Sequence, residues 1–316
     1  MDMYKIIITG ASGFVGANLT RNLLKTKHQI HIFTRKNSKL WRLKDIKTKL
    51  NTHTVSLNNS KILKKKLLEI KPRFVFHCAT YGVLPSQTNF SKLIKTNVIG
   101  TYNLLQALEE CNELSKLVNL DSSFVYGQKY NSIKENQIAE PITPYGIMKL
   151  SQTNLVRYYS IEKKIPSITM RLFTPFGRFD QPGRLITDIM KALITKKPLT
   201  LFSPYSKRDF VHIDDTINAL ILASKSPFKN GEIFNVGSGK YYSVKEFVTL
   251  ASKVSKTKID VNWKNKQREF DKLGGNGYAN IRKISENLGW KPKITIQEGL
   301  LKSYKWYKKN IHLYVN

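Results

Sequence analysis

The chain is short of cysteine, of acidic residues and of long apolar runs. Two cysteines in 316 residues, Cys78 and Cys111, make no disulfide framework, and neither stands in a Cys/His cluster with metal-binding spacing, so no metal site is expected. The longest largely apolar stretches, such as Ile217–Ala223, are far too short to span a bilayer, and no membrane partner is expected. A secretory leader is not expected either. Lys5 is followed at once by Ile6-Ile7-Ile8-Thr9-Gly10, a strand-like run without the cleavage site of a leader. The expected compartment is the reducing cytoplasm.

The 22 acidic residues face 53 Lys and Arg, for a formal charge of +31. Such an excess invites a nucleic-acid partner. The pattern argues against one. The basic residues are mostly Lys and are spread along the chain. Their densest cluster, Lys61–Lys66, shares an amphipathic pattern with Ile62, Leu63, Leu67, Leu68 and Ile70, which reads as the solvated face of a helix. No basic segment is interleaved with aromatics. A small phosphorylated substrate would gain from the same field through steering. A hydrophobic content of 41% excludes a disordered chain, and the length allows one large or two ordinary domains.

What is present is an alternation of two periodicities. Strand-like runs at Lys5–Thr9, Gln29–Thr34, Phe74–Cys78, Lys116–Asp121, Ser167–Leu172 and Glu232–Val236 alternate with helical patterns at Asn18–Thr26, Ile62–Ile70, Phe90–Leu108 and Thr143–Lys163. This predicts an α/β fold built on a doubly wound parallel sheet. After Phe173 the breakers Pro175, Gly177, Pro182 and Gly183 interrupt the pattern, and a second, smaller C-terminal domain is expected.

Thr9-Gly10-Ala11-Ser12-Gly13-Phe14-Val15-Gly16 follows a predicted strand and opens a predicted helix, with glycines three apart. Glycine allows a tight turn and a close backbone approach to a pyrophosphate, and the helix N-terminus adds N–H donors. The second strand ends in Thr34-Arg35-Lys36, where a dinucleotide site usually carries a carboxylate for the ribose. Arg35 and Lys36 offer positive charge where a 2′-phosphate would lie, and Ser38 adds a hydroxyl, so NADP(H) is expected over NAD(H). The alternative is that Arg35 stacks on the adenine or is one more surface cation.

Tyr145 and Lys149 stand four apart on a predicted helix and so share a face. An ammonium near a phenol favours the phenolate, which suits Tyr145 to acid/base work near neutrality. Upstream, a strand ends in Asp121-Ser122-Ser123, placing a hydroxyl where open α/β sheets bind ligands.

With these motifs the chain resembles the extended short-chain dehydrogenase/reductases of the nucleotide-sugar epimerase/dehydratase group. The resemblance runs over nearly the whole length. It takes in Thr9–Gly16, His77-Cys78-Ala79, Asn97-Val98-Ile99-Gly100-Thr101, Ser122–Gly127 and the Tyr145/Lys149 pair. It continues through Arg208–Asp215, Asn235-Val236-Gly237 and Leu288-Gly289-Trp290-Lys291-Pro292. It implies a Rossmann-like dinucleotide domain of residues 1–173 plus about 208–236, and a smaller α/β domain for the sugar nucleotide, of about 174–207 plus 237–316.

Among the residues, the resemblance implies Ser122, Tyr145 and Lys149 as the catalytic trio. Tyr145 would be the acid/base, Lys149 would bind the nicotinamide ribose, and Ser122 would hydrogen-bond the substrate oxygen. The cofactor would meet Gly10, Ser12, Gly13, Phe14, Val15, Gly16, Thr34, Arg35, Lys36, Ser38, Cys78, Ala79, Asn97, Lys149 and Phe173. The sugar nucleotide would meet Thr80, Tyr81, Ser122, Ser123, Tyr145, Thr174 and Arg184, with Arg208 and Arg268 on its diphosphate. Cys78, Cys111, His77 and His212 read as structural. A homodimer through the helices at Phe90–Leu108 and Thr143–Lys163 is also implied.

The reaction is narrowed by substitution. Dehydratases of the group carry an Asp-Glu pair after the catalytic hydroxyl, and bifunctional epimerase/reductases carry a Cys two residues after it. Here Ser123 and Phe124 stand there. Two chemistries remain. The expectation is NADPH-dependent reduction of the C4 ketone of a nucleotide-activated 4-keto-6-deoxy sugar. The alternative is NAD-dependent 4-epimerisation. A reading of another class, a non-catalytic member binding cofactor or RNA, would have no reason to keep Ser122, Tyr145 and Lys149 together.

Overall fold

The computed structural model describes residues 3–264 and 277–315. Seven runs rich in β-branched and aromatic residues form one sheet. They are β1 (Lys5–Thr9), β2 (Gln29–Thr34), β3 (Asn51–Thr54), β4 (Phe74–His77), β5 (Lys116–Ser122), β6 (Ser167–Leu172) and β7 (Asn230–Val236). Their order across the sheet is β3-β2-β1-β4-β5-β6-β7. The pairs β1/β2, β2/β3, β1/β4 and β4/β5 are parallel. β1 and β5 read as nearly continuous buried runs, as strands covered on both faces do. The chain moves outward from β1 in one direction through β2 and β3, then returns to β4 and moves outward in the other. The expected doubly wound sheet is therefore present, and the β1/β4 boundary is its switch point, where such folds hold their ligands.

β3 was not visible in the sequence. Its run Asn51-Thr52-His53-Thr54 has no apolar residue, and as an edge strand it needs none, because its backbone pairs with β2 alone. Helix α1 spans Phe14–Leu23, four residues earlier than the periodicity suggested, since it starts directly on the glycine loop. In α2 (Ser60–Ile70) only Leu63, Leu67 and Ile70 are buried. Ile62 and Leu68 are exposed, and so are Lys61, Lys64 and Lys65, so the densest cationic cluster is indeed a solvated face. The long pattern after Phe90 is three segments: α3 (Phe90–Leu93), a wide π-type turn over Ile94–Ile99, and α4 (Gly100–Leu108). The helix carrying Tyr145 and Lys149, α5, spans Pro144–Ile161.

By internal packing the chain divides into two units. The first comprises Met1–Val125, Pro144–Arg171 and Ile217–Phe234, and holds most of the sheet. The second comprises Tyr126–Thr143, Leu172–Thr216 and Asn235–Asn316. The expected dinucleotide domain took in about 208–236 and all of 126–143; here 208–216 and 126–143 belong to the second unit. Within that unit α6 (Leu185–Thr195), α8 (Val244–Ser255) and α10 (Ile296–Asn310) are full helices, with α7 (Ile213–Lys225) beginning there and α9 (Arg282–Leu288) a shorter turn. Capping boxes at Ser243/Glu246 and Thr295/Glu298 start α8 and α10. The second unit is thus more helical than its breakers suggested. Asp209 ties it together: its buried carboxylate accepts hydrogen bonds from Ser238 N (2.6 Å), Ser238 Oγ (2.7 Å), Gly239 N (3.2 Å) and Ala279 N (2.9 Å). Burial pushes that carboxyl up to about 6, against the pull of its four donors.

The β2/β3 edge carries an acid-sensitive contact. His31 Nδ1 lies 3.0 Å from His53 Nε2, and the rings are nearly parallel at 7°. A shared proton satisfies this pair, whereas two imidazolium rings would repel. Burial and the neighbouring His53 hold His31 down to about 4, and burial lowers His53 as well. Both pKa values lie below the unfolded value, so the unfolded chain binds more protons as the medium acidifies. Stability is expected to fall as pH drops from about 6.5 towards 4. The thermal midpoint followed across that window should fall less steeply for His31→Gln than for the wild type.

Candidate active site

The glycine loop is shaped by a close approach. Gly10 has φ +66°, and a Cβ there would lie 2.6 Å from the backbone of Cys78 and Ala79 at the end of β4. A Cβ on Gly16 would lie 2.3 Å from Gly10 O. Gly13 N donates to Gly10 O at 2.9 Å and closes the turn. Gly13 is also the N-cap of α1 and supplies no side-chain cap, so the helix starts directly at the loop. Ser12, Phe14 and Val15 complete this cradle. One cation missed in the sequence sits beneath it. Arg42 is buried, donates from Nη1 to Ser12 O at 3.1 Å, and lies 4.2 Å over the Trp41 ring. Only the tertiary placement of Trp41–Lys49, a run of 3-10 turns, brings Arg42 there.

At the end of β2 the Thr34 hydroxyl donates to His53 O at 3.4 Å, and Ser38 Oγ accepts from Arg35 N at 2.9 Å. Arg35 and Lys36 are exposed. Among the described residues, none holds either side chain by a hydrogen bond or an ion pair.

At the end of β4 a buried chain of polar groups runs across the switch point. Ala79 N donates to Thr9 Oγ1 (3.3 Å), which bonds His77 Nδ1 (2.8 Å). His77 Nε2 bonds Thr101 Oγ1 (2.9 Å), which donates to Asn97 O (2.7 Å). Because Thr101 gives its proton to a carbonyl, it must accept from His77, so His77 carries its proton on Nε2. Burial, with Lys149 nearby, holds His77 down to about 3, so the ring is neutral in use. The Asn97 side chain is spent on the segment beside it. Its Oδ1 accepts from Thr80 Oγ1 and Tyr81 N, both at 3.0 Å, and its Nδ2 donates to Tyr81 O at 2.8 Å. Asn97 therefore shapes the segment at Thr80 and Tyr81. Burial pushes the Cys78 thiol up to about 12, which keeps it an unreactive neutral group.

β5 ends at Ser122, whose Oγ accepts from Phe124 N at 3.3 Å. Half-buried Tyr145 lies one turn from Lys149, and its ring meets Phe124 edge-on at 5.9 Å between centroids. Ser123 is half-buried beside them. Lys149 is 3% exposed. Burial lowers it to about 8, while Asp121 and Cys78 pull it back up. Its ammonium donates to Leu120 O and Gln152 Oε1, both at 2.5 Å. Asp121 itself is committed to Arg171 in a buried ion pair at 2.8 Å. The first unit thus brings together the glycine loop, Cys78, Ala79, Thr80, Tyr81, Asn97, Ser122, Ser123, Tyr145 and Lys149.

The remaining expected residues lie in the second unit. Phe173 is buried there with its ring 6.5 Å from Tyr126. Thr174 starts a short strand, Thr174–Phe176, parallel to Phe210–His212. Arg184 is paired with Asp180 at 2.8 Å. Arg208 pairs backbone to backbone with Tyr242 in a two-stranded ribbon. Arg268 lies outside the described residues.

With this geometry in place, the comparisons carry weight. The sequence profile described as "NAD dependent epimerase/dehydratase family" matches residues 6–237. The chain belongs to this family. A Bacillus subtilis protein named "Uncharacterized UDP-glucose epimerase YtcB" is 29% identical, covering 94% of this chain and 95% of that one. The UDP-glucuronate 4-epimerase of Thermodesulfobacterium geofontis is 28% identical, covering 97% of each. The structure of a Bacillus cereus UDP-glucuronic acid 4-epimerase in complex with UDP-glucuronic acid and NAD superposes with TM-score 0.86. It is 27% identical and covers 97% of this chain and 99% of that one. The chain is an enzyme of the nucleotide-sugar epimerase/dehydratase kind.

Two sequence expectations change. The comparisons favour NAD over NADP(H), and no described residue fixes the Arg35 or Lys36 side chain. They also lean to 4-epimerases and give no support to a 4-ketoreductase in particular. Side chains at Gly10 and Gly16 would strike the backbone of the β4 end and of the loop itself, so both glycines are needed for the tight turn that a dinucleotide loop requires. Gly10→Ala is therefore expected to weaken NAD binding more than tenfold, roughly 1.4 kcal/mol or more at 25 °C. Calorimetric titration of the folded variant with NAD checks this, with wild-type affinity the contrary result.

Proposed function

We propose that this protein is a nucleotide-sugar 4-epimerase working with a retained NAD. The observation that carries the reading is the Tyr145/Lys149 pair with the Phe124 ring packed against Tyr145. That arrangement supplies one acid/base and leaves neither a carboxyl nor a thiol at positions 123 and 124 for dehydration or epimerisation at C3 or C5. The full-length similarity to UDP-glucuronate 4-epimerases supports the same reading.

Backbone amides from Gly10 to Gly16, with Ser12, Phe14 and Val15, would hold the pyrophosphate, and Lys149 the nicotinamide ribose. Thr34, Ser38, Cys78, Ala79 and Phe173 complete the proposed cofactor contacts. Bound NAD would supply a reversible hydride acceptor for C4 of the sugar, the hydride coming back to the opposite face. Tyr145 takes the proton of the 4-hydroxyl and gives it back, with Lys149 favouring its phenolate. Ser122 Oγ holds the same oxygen by hydrogen bond, and its bond from Phe124 N aims it. Thr80, Tyr81, Ser123, Thr174 and Arg184 are proposed as sugar-nucleotide contacts, with Arg208 for its diphosphate and Arg268, outside the described residues, proposed for the same group.

The test is to incubate the protein with UDP-glucuronic acid or UDP-glucose and follow the sugar by NMR. Interconversion of 4-epimers with no net change at the nicotinamide band is expected. Tyr145→Phe should lower the rate by about 10²–10⁴-fold while leaving NAD binding unchanged. The second reading, 4-ketoreduction of a 4-keto-6-deoxy sugar, rests on the missing carboxylate at Thr34-Arg35-Lys36. Stoichiometric oxidation of NADPH by such a sugar, without epimerisation of either UDP-sugar, would overturn the epimerase.

No helix among the described residues is long and apolar enough to cross a membrane. A homodimer fits the exposed apolar side chains on the helices of the first unit, among them Phe90, Ile94, Ile99 and Tyr102, and Ile147, Tyr158 and Ile161 of α5. Sedimentation should find a dimer that Tyr158→Glu with Ile147→Glu converts to monomer.

A further inference from the structure

We propose that Gln152 is the positioning residue of Lys149, and that the buried chain Thr169–Asn119–Gln152 fixes where the ammonium sits and how strongly it acts on Tyr145. This rests on the reading of Tyr145 as the acid/base.

The chain is continuous and buried. Lys149 Nζ donates to Gln152 Oε1 at 2.5 Å, Gln152 Nε2 donates to Asn119 Oδ1 at 2.7 Å, and Asn119 Nδ2 donates to Thr169 Oγ1 at 3.2 Å. Gln152 and Asn119 are 0% exposed and Thr169 1%. The polarity of the chain follows from chemistry alone. An ammonium has only donors, so Gln152 must turn its oxygen to Lys149 and its amide nitrogen to Asn119. Asn119 must then present its oxygen to Gln152 and its nitrogen to Thr169. Each amide is locked by the next, across α5, β5 and β6.

Lys149 has few other groups to hold its charge. Asp121, on β5, favours the ammonium through space, but its Oδ2 is paired with Arg171 on β6 and no hydrogen bond joins it to Lys149. His77 and Cys78, at the end of β4, are held neutral by burial. Tyr145 is the group the ammonium serves on its own helix. Leu120 O and Gln152 Oε1 are the oxygens that hold the charge. Losing one of two acceptors from a buried cation disfavours its charged form. A less charged Lys149 favours the Tyr145 phenolate less, so the tyrosine ionises at higher pH.

The experiment needs no turnover. Tyrosinate absorbance is titrated in the wild type and in Tyr145→Phe, and the difference isolates the Tyr145 component. In Gln152→Met, which keeps chain length but offers no strong acceptor, that component is expected to move up by about one pH unit. The acid limb of kcat/KM should move with it, with KM for the nucleotide sugar within about twofold and activity recovering at high pH. Thr169→Val, a smaller perturbation at the far end, should shift it the same way by less and guards against misfolding of the first variant. An unmoved Tyr145 component in either folded variant, or a uniform loss of rate at all pH values, would overturn the proposal. If the wild type shows a Tyr145 component but no epimerase or reductase turnover, the functional reading fails while the positioning role is still decided by the titration.

Discussion

The constraint on which the site depends is the meeting of two strand ends, β1 at Gly10 and β4 at Cys78–Ala79. A single Cβ at Gly10 would bring backbone within 2.6 Å. The approach is possible only because β1 and β4 are neighbours and the connections leave the sheet in opposite directions there. Everything proposed for the site in the first unit is arranged around that point. The loop and the start of α1 lie on one side, and the segment from Cys78 to Tyr81 on the other.

Burial then imposes a second order. Polar groups placed at the switch point cannot be left without partners, and each one's hydrogen-bonding capacity dictates the next. The run Ala79–Thr9–His77–Thr101–Asn97 links the glycine loop to the wide turn at Ile94–Ile99, and through Asn97 to Thr80 and Tyr81. The run Lys149–Gln152–Asn119–Thr169 passes beneath the pair proposed for catalysis. Both runs are directional because each contains a group with no choice: a hydroxyl bound to a carbonyl in the first, an ammonium in the second. Breaking a buried pair such as Asp121–Arg171 costs about 3–5 kcal/mol, so the surroundings of these runs are as constrained as the runs themselves.

The glycine spacing, the Tyr145/Lys149 spacing and the strand-end Ser122 were legible because they are local. Period-2 and period-3.6 patterns likewise announced the sheet and its helices. β3 escaped because an edge strand can be polar. The wide turn at Ile94–Ile99 escaped because its apolar pattern differs from that of a continuous helix by a single residue of register. Arg35 and Lys36 pointed to a 2′-phosphate on charge alone, whereas recognition of a phosphate needs a cation held in place. The comparisons favour NAD, and no described residue holds either side chain.

The sequence by itself determined the fold class, the glycine turn after β1 and the one-turn spacing of Tyr145 and Lys149. Each depends on residue type and short spacing, and these are set once the chain is written. It also determined that +31 of charge would lie mostly on solvated lysines such as Lys61, Lys64 and Lys65. Only the tertiary structure decided that Arg42 would sit under the glycine loop, that Asn97 would hold Tyr81, and that Gln152 would face Lys149. Those contacts join residues from different elements. Their partners are chosen by which buried donors and acceptors the sheet order brings within reach, and no local pattern records that choice.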